Sequence, residues 1–223
     1  WSSDVCSSDL GLSMNVVLHE IDKIISELKH AIIAEKTSDR IQTLVKRLGS
    51  LTDGYASVIK SKSIKIIDLK KIIMQSLFMV DFRLQAHGVQ VIKKFIEKDE
   101  VFKIKGNDSL IASSIVNIID NSIWWLQYAK VKNKQLYFDI TRDIPGYIAV
   151  VIADNGKGFT IPTEMATKPF ITDKPNGMGL GLHLASELMS QHGGALMFPE
   201  FYDLNLPKEY ENGAIVALAF KEE

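Results

Sequence analysis

A chain of 223 residues and 25.0 kDa is long enough to bury one or two domain cores. Apolar residues make up 46% of it and charged residues 24%, which excludes intrinsic disorder as its main state. Lys and Arg number 26 against 27 for Asp and Glu, a formal charge of −1, which excludes the basic footprint of a nucleic-acid-binding domain.

Residues 1–11 open with WSSDVCSSDL, in which Ser-Ser-Asp recurs around Val5 and Cys6. The stretch has neither the basic start nor the apolar centre of a signal peptide and shares no periodicity with the residues after it, so it reads as a non-native leader. Cys6 is the one cysteine, which excludes an internal disulfide and fits a reducing, cytoplasmic compartment. No run approaches the ~18–20 apolar residues of a membrane segment, since charges interrupt even IIDLKKIIMQSLFMV.

Residues 12–62 are expected to form an antiparallel helical hairpin. Val17, Leu18, Ile21, Ile24, Ile25, Leu28 and Ile32 keep the three-and-four spacing of one helical stripe. A polar break at 36–39 offers Ser38 or Asp39 as an N-cap for a second stripe through Ile41, Leu44, Val45, Leu48, Leu51, Tyr55 and Val58. Such a hairpin cannot cover its own apolar stripe, so pairing with a second copy into a four-helix bundle, a homodimer, is expected.

From residue 63 to 223 helix and strand signals mix. Strands are expected at Ser63–Ile67, Val89–Phe95 and Val101–Ile104, with a helix at 68–86 between the first two and another at 108–128. A hairpin of strands at Gln135–Arg142 and Tyr147–Ala153 follows, then a long loop, a helix from Gly179 to His192, and strands at Ala195–Phe198 and Ala214–Phe220. Residues 202–211 read as loop. An antiparallel hairpin without regular βαβ alternation means α+β, with helices on one face of a mixed sheet.

Three constellations in this second part can carry chemistry. Asn117 and Asn121, in Asn-Ile-Ile-Asp-Asn-Ser at 117–122, are four apart on a helix and project from one face. Taken alone, they are equally well explained as solvated amides; as hard neutral oxygen ligands they also suit a magnesium ion that keeps its waters and binds phosphates. Asp154–Phe159, Asp-Asn-Gly-Lys-Gly-Phe, directly follows the apolar strand YIAVVIA. Asn155-Gly156 by itself is a turn signal. A second glycine, Gly158, and a buried strand-end Asp add an acceptor for an exocyclic amine and room for a planar base. In the loop at 167–185, Gly177, Gly179 and Gly181 alternate and lead into a helix, the arrangement in which free amides and the positive helix end cradle phosphate. Neither the dinucleotide fingerprint nor a P-loop is present.

In this order and spacing the segments resemble the N, G1 and G2 boxes of the GHKL ATPase superfamily, and most closely the catalytic domain of sensor histidine kinases. The resemblance spans about residues 64–220, with an F-box-like stretch at Pro169–Lys174 that includes Thr172. It implies a Bergerat-type α/β sandwich that binds ATP and Mg2+. Asn117 and Asn121 would then hold the magnesium, Asp154 the adenine amine, and Gly156 and Gly158 would line the base pocket. Trp125 would stack on adenine, Lys174 would reach the phosphates, and Gly177, Gly179, Leu180 and Gly181 would wrap them. Residues 160–176 would form the ATP lid, anchored by Phe170. Where many members carry Lys or Arg and then an aromatic after the N box, this chain has Trp124-Trp125.

The same resemblance reaches the hairpin. His19-Glu20-Ile21 matches the phosphoacceptor H box, and His19 lies off the apolar stripe. It implies that His19 takes the γ-phosphoryl group, that Glu20 orients or accepts its proton, and that a response-regulator receiver domain receives the group. Lys23 stands where relatives with phosphatase activity have Thr or Asn. GHKL enzymes that hydrolyse ATP carry a general-base Glu where this chain has Asn117, which favours transfer over hydrolysis. The alternatives are a GHKL-type ATPase and a non-catalytic ATP-binding dimeric module. With no sensor segment in these residues, the chain is expected to be the output half of a longer or complex-dependent protein.

Overall fold

The computed structural model describes residues 64–222 except 176 and 192, together with isolated residues 25, 28 and 41. The described elements belong to the second of the chain's two units, Ser61–Glu223. Apart from those three isolated positions, the leader at 1–11 and the hairpin expected over 12–62, with His19 and Glu20, lie outside the described residues.

Strand β1 (Lys65–Asp68) hands directly into helix α1 (Leu69–Ala86) because Asp68 caps it, its carboxylate accepting the Lys70 N–H at 3.0 Å. Leu69, Ile72, Ile73, Leu77, Val80 and Leu84 form the buried stripe of α1. After β2 (Val89–Lys93) and β3 (Lys103–Gly106), Asn107 caps helix α2 (Asp108–Tyr128) by accepting the Leu110 N–H at 3.2 Å. The hairpin β4 (Lys134–Thr141) and β5 (Tyr147–Asp154), a single turn α3 (Thr163–Ala166), helix α4 (Gly181–Gln191), and strands β6 (Ala195–Met197) and β7 (Ile215–Lys221) complete the order.

Five strands form one sheet in the order β2-β4-β5-β7-β6. Only β2 and β4 run parallel, so the sheet is mixed and the expected α+β class holds. A separate two-stranded sheet pairs β1 with β3, aligning Ile67 with Ile104. Period-two alternation gives the large sheet two faces. Leu136, Phe138, Ile140, Val150, Ile152, Val216 and Leu218 pack with the buried stripes of α1 and α2. Each such side chain contributes about 1.5–3 kcal/mol when fully buried.

The opposite face carries Tyr137 and the small residues Ala149, Ala153, Ala217 and Ala219. Residues 201–210, nearly all of them within the 202–211 stretch read from sequence as loop, cover it through two 3-10 turns that bury Leu204 and Tyr210. The alanines make that face shallow, which lets an irregular segment lie close against it. Several boundaries also differ from expectation, three of them for a visible reason. The strand expected to reach Phe95 stops at Lys93, because the chain turns into a 3-10 helix at Lys94–Glu97 that buries Phe95. The strand expected from Val101 starts at Lys103, because the Phe102 carbonyl is taken by the Leu69 N–H at 2.9 Å. The helix expected from Gly179 starts at Gly181, because Gly179 has φ +65°, outside the right-handed helical region. Among the described residues no helix is long and apolar enough to cross a membrane.

Candidate functional site

Helix α2 buries Ile111, Ile115, Ile118 and Ile119 in the core, which turns Asn117 and Asn121 to a partly exposed flank. Gly181, the first residue of α4, lies against both amides. A Cβ built there would stand 3.4 Å from Asn121 Nδ2 and 3.9 Å from Asn117 Cβ. The missing side chain therefore leaves a cradle between the amide pair and the start of α4, where main-chain N–H groups and the positive helix end face outward. Neutral amide oxygens beside a helix N-terminus fit a phosphate-bound magnesium ion, which takes oxygen ligands and keeps several waters. Among the described residues no group of three or more His, Cys, Asp or Glu offers a competing metal site.

At the end of β5, Asp154 is only 3% exposed. Its Oδ1 accepts the Gly156 N–H at 2.9 Å and the Ala214 N–H at 3.2 Å, and the Ser122 hydroxyl from α2 also bonds the carboxylate. Burial pushes the Asp154 carboxyl above the usual range, against the pull of these three donors. An ionised carboxylate has about four lone-pair positions, so it retains capacity for one more donor such as an amine. A Cβ at Gly156 would come 2.8 Å from Asp154 Oδ1, so the loop closes on the carboxylate only with glycine there. Asn155 instead holds the fold: its Oδ1 accepts the Gln135 N–H at 2.8 Å and its Nδ2 donates to the Asn133 carbonyl at 2.7 Å.

The described residues between 160 and 180 are tethered. His183 Nδ1 lies 3.1 Å from the Thr167 carbonyl, and the Phe170 N–H donates to the Gly179 carbonyl at 3.1 Å. Phe170 has φ +64°, a left-handed conformation costing about 1–2 kcal/mol in an L-residue. Thr172 Oγ1 accepts the Lys174 N–H at 3.1 Å, and the Gly177 N–H donates to the Lys174 carbonyl at 2.8 Å. The Lys174 ammonium stands 5.0 Å from the centre of the Trp124 ring. Desolvation lowers the Lys174 pKa against the attraction of Asp120, and it raises that of Asp120 against Arg83 and Lys174. Both groups are thus partly shielded from water on the α2 side that carries Asn117 and Asn121.

Asn117, Asn121 and Gly181 thus come together, as do Asp154, Gly156 and the 212–214 turn, against whose Asn212 carbonyl a Cβ at Gly158 would stand 3.2 Å away. Leu180 is different: its side chain is buried and its carbonyl accepts the Leu184 N–H at 2.8 Å, so it leads into α4 rather than facing a ligand with its side chain. Trp125 sits edge-on to Trp124 at 4.7 Å and to Tyr128 at 5.7 Å. Sequence reasoning missed Ser122, Gly213 and Ala214. A Cβ at Gly213 would fall 1.6 Å from the Asp154 carbonyl oxygen, a contact that only the β5–β7 pairing brings about. The Asn212-Gly213 turn was its one signal.

A family model for the histidine kinase-, DNA gyrase B- and HSP90-like ATPases matches residues 106–223, more than half of the chain. The chain belongs to this family. Among its relatives, sensor histidine kinase ZraS of Salmonella typhimurium is 24% identical over 74% of this chain and 33% of its own length. The C4-dicarboxylate transport sensor protein DctB of Rhizobium meliloti is 23% identical over 81% of this chain and 31% of its own length. The chain therefore spans about a third of the length of these relatives. Mycobacterial sensor histidine kinase MprB shares the fold, with a TM-score of 0.55 and 21% identity over 71% of this chain and 97% of that one. Histidine kinase ThkA solved in complex with response regulator TrrA gives a TM-score of 0.62 at 16% identity, over 97% of this chain and 63% of that one.

Proposed function

We propose that this chain is the core of a dimeric, ATP-dependent protein histidine kinase of two-component signalling. A phosphoacceptor and dimerisation hairpin at 12–62 precedes the ATP-binding catalytic domain at 63–223, with 1–11 standing apart as a leader. The observation that carries the reading is the opposition of Asn117 and Asn121 to Gly181 at the start of α4, a neutral cradle for a metal-bound polyphosphate. The likeness to ThkA, solved with a response regulator, supports a receiver-domain partner.

In this reading bound Mg2+–ATP supplies the γ-phosphoryl group and a cation that spreads its charge. Asp154 accepts the adenine amine, and Gly156 and Gly158 admit the base to the main chain. Trp125 stacks on it from α2. The amides of Asn117 and Asn121 ligate the metal, while Lys174 and the main chain around Gly177, Gly179 and Gly181 hold the phosphates. Thr172 and Phe170 shape the lid that carries Lys174. The His19 imidazole forms the new P–N bond as the bond to the bridging oxygen of ADP breaks, and Glu20 takes the ring proton. Asn117 is uncharged at any working pH and cannot take a proton from water, which supports transfer over hydrolysis.

Incubation with γ-labelled ATP and magnesium tests the reading. Acid-labile, base-stable label is expected on the protein and absent from His19→Ala. Label that persists in the variant would remove His19 as acceptor. Rapid phosphate release without protein label would favour a GHKL-type ATPase, and ATP binding with neither would favour a non-catalytic dimeric module.

A further inference from the structure

Helix α2 carries no Lys or Arg anywhere from Asp108 to Tyr128. Its polyphosphate-facing flank therefore brings amides but no positive charge of its own. A cation reaches that helix face from another segment. Lys174 reaches back from the lid, and its ammonium stands over the Trp124 ring at 5.0 Å. Trp124 follows Asn121 by three residues and Asn117 by seven, so all three lie along one helical face.

The ring is held firmly. Trp124 stacks on Tyr128 with 4.9 Å between centroids and 13° between planes, and Trp125 braces it edge-on. Asp120, one turn before Trp124, also attracts Lys174, but its charge is offset by Arg83, whose Nη1 donates to Asp120 Oδ2 at 2.7 Å. At the other end of the lysine, the Thr172 and Gly177 bonds fix the main chain, and a Cβ at Gly177 would come 2.9 Å from Lys174 Cβ. A long, flexible side chain is thereby fixed at its backbone and at its head.

We propose that Trp124 is a positioning residue for triphosphate binding, holding the Lys174 ammonium beside Asn117 and Asn121 so that the lid supplies the positive charge α2 lacks. An aromatic face suits this task. It attracts the cation through its quadrupole yet carries no net charge, so the ammonium keeps its full field for phosphate oxygens. A carboxylate in the same place would neutralise it. Ordering the lysine before the ligand arrives removes part of the entropy otherwise lost on binding.

The proposal rests on the ATP-binding reading, and titration of the full chain with ATP and with adenosine, in magnesium, separates the two. Trp124→Leu is expected to weaken ATP about tenfold and leave adenosine unchanged. Trp124→Phe, which keeps an aromatic face, should recover most of that loss. Lys174→Met should match Trp124→Leu, and the double variant should be no weaker than either single one. Losses that multiply in the double variant, an equal loss for adenosine, or no recovery with Phe would each overturn the positioning role while ATP binding by the wild type stands. A wild type that binds no ATP would overturn both.

Discussion

Ala214 and Asp154 are bonded twice: Ala214 donates its main-chain N–H to Asp154 Oδ1 at 3.2 Å, and Asp154 donates its own N–H to the Ala214 carbonyl at 3.0 Å. The start of the last strand thus holds the carboxylate that ends β5, across 60 residues of sequence. Because one oxygen is occupied by main-chain donors, the orientation of the carboxylate is set before any ligand arrives.

Asp154→Asn should leave the fold intact and weaken ATP by at least about tenfold, since a hydrogen bond to a charged group contributes about 1.5–3 kcal/mol. The pH dependence has opposite signs for stability and binding. The folded pKa of Asp154 is raised above its ordinary value of 3.8, so the burden of burying the charge is fully present above the folded pKa and disappears as pH falls to 3.8. Wild-type stability relative to Asp154→Asn should therefore rise as pH falls through that window, while wild-type ATP affinity falls as the carboxyl takes up a proton. Denaturant melts and ATP titrations of both proteins across this range check the two signs.

Gly179→Ala should loosen the chain ahead of α4. Its φ of +65° costs an L-residue about 1–2 kcal/mol, and the new Cβ would stand 2.6 Å from the Ile171 carbonyl oxygen and 2.7 Å from the Phe170 carbonyl carbon. Those are main-chain atoms that cannot swing aside. Limited chymotrypsin digestion should cut the variant faster after Phe170, with ATP affinity reduced and the circular dichroism of the sheet preserved.

Tyr210→Ala should lower Tm by about 10 °C, since emptying a large aromatic site costs about 3–5 kcal/mol and each kcal/mol is about 2–4 °C at this size. Tyr210 is buried against Tyr137, with 5.2 Å between ring centres, and its carbonyl accepts the Gly213 N–H at 3.1 Å. ATP affinity should fall with it, because the turn that braces Asp154 hangs from this residue. Tyr202→Ala, at an exposed ring of the same segment, should change Tm by less than about 2 °C in a thermal melt.

Asn121→Ala should weaken ATP about tenfold when magnesium is present and have little effect when EDTA has removed it. A loss of the same size under both conditions would mean that the amide touches the nucleotide rather than the metal. Calorimetric titration under both conditions reads the difference.

Much of the second unit was legible because its signals are local. The stripe of α2, the apolar run of β5, and the glycines before α4 each reflect a periodicity, a composition or a backbone requirement written within about twenty residues. The N-box amides are legible for the same reason, since a spacing of four on a helix puts Asn117 and Asn121 on one face wherever the helix lies. The segment at 201–210 was not, because its turns take their form from the shallow alanine face they cover, and a face exists only once β5 and β7 pair.

By itself the sequence determined the element order, the α+β class and the short motifs that mark this family, all consequences of local geometry. Only the tertiary structure decided which groups meet: Ser122 and Ala214 at Asp154, Gly181 against the amide pair, and Lys174 over Trp124. Those contacts join residues tens of positions apart, and no local rule links a glycine turn at 213 to a carboxylate at 154. Strand pairing and helix packing bring them together, and it is their closeness that orients charges and closes the site.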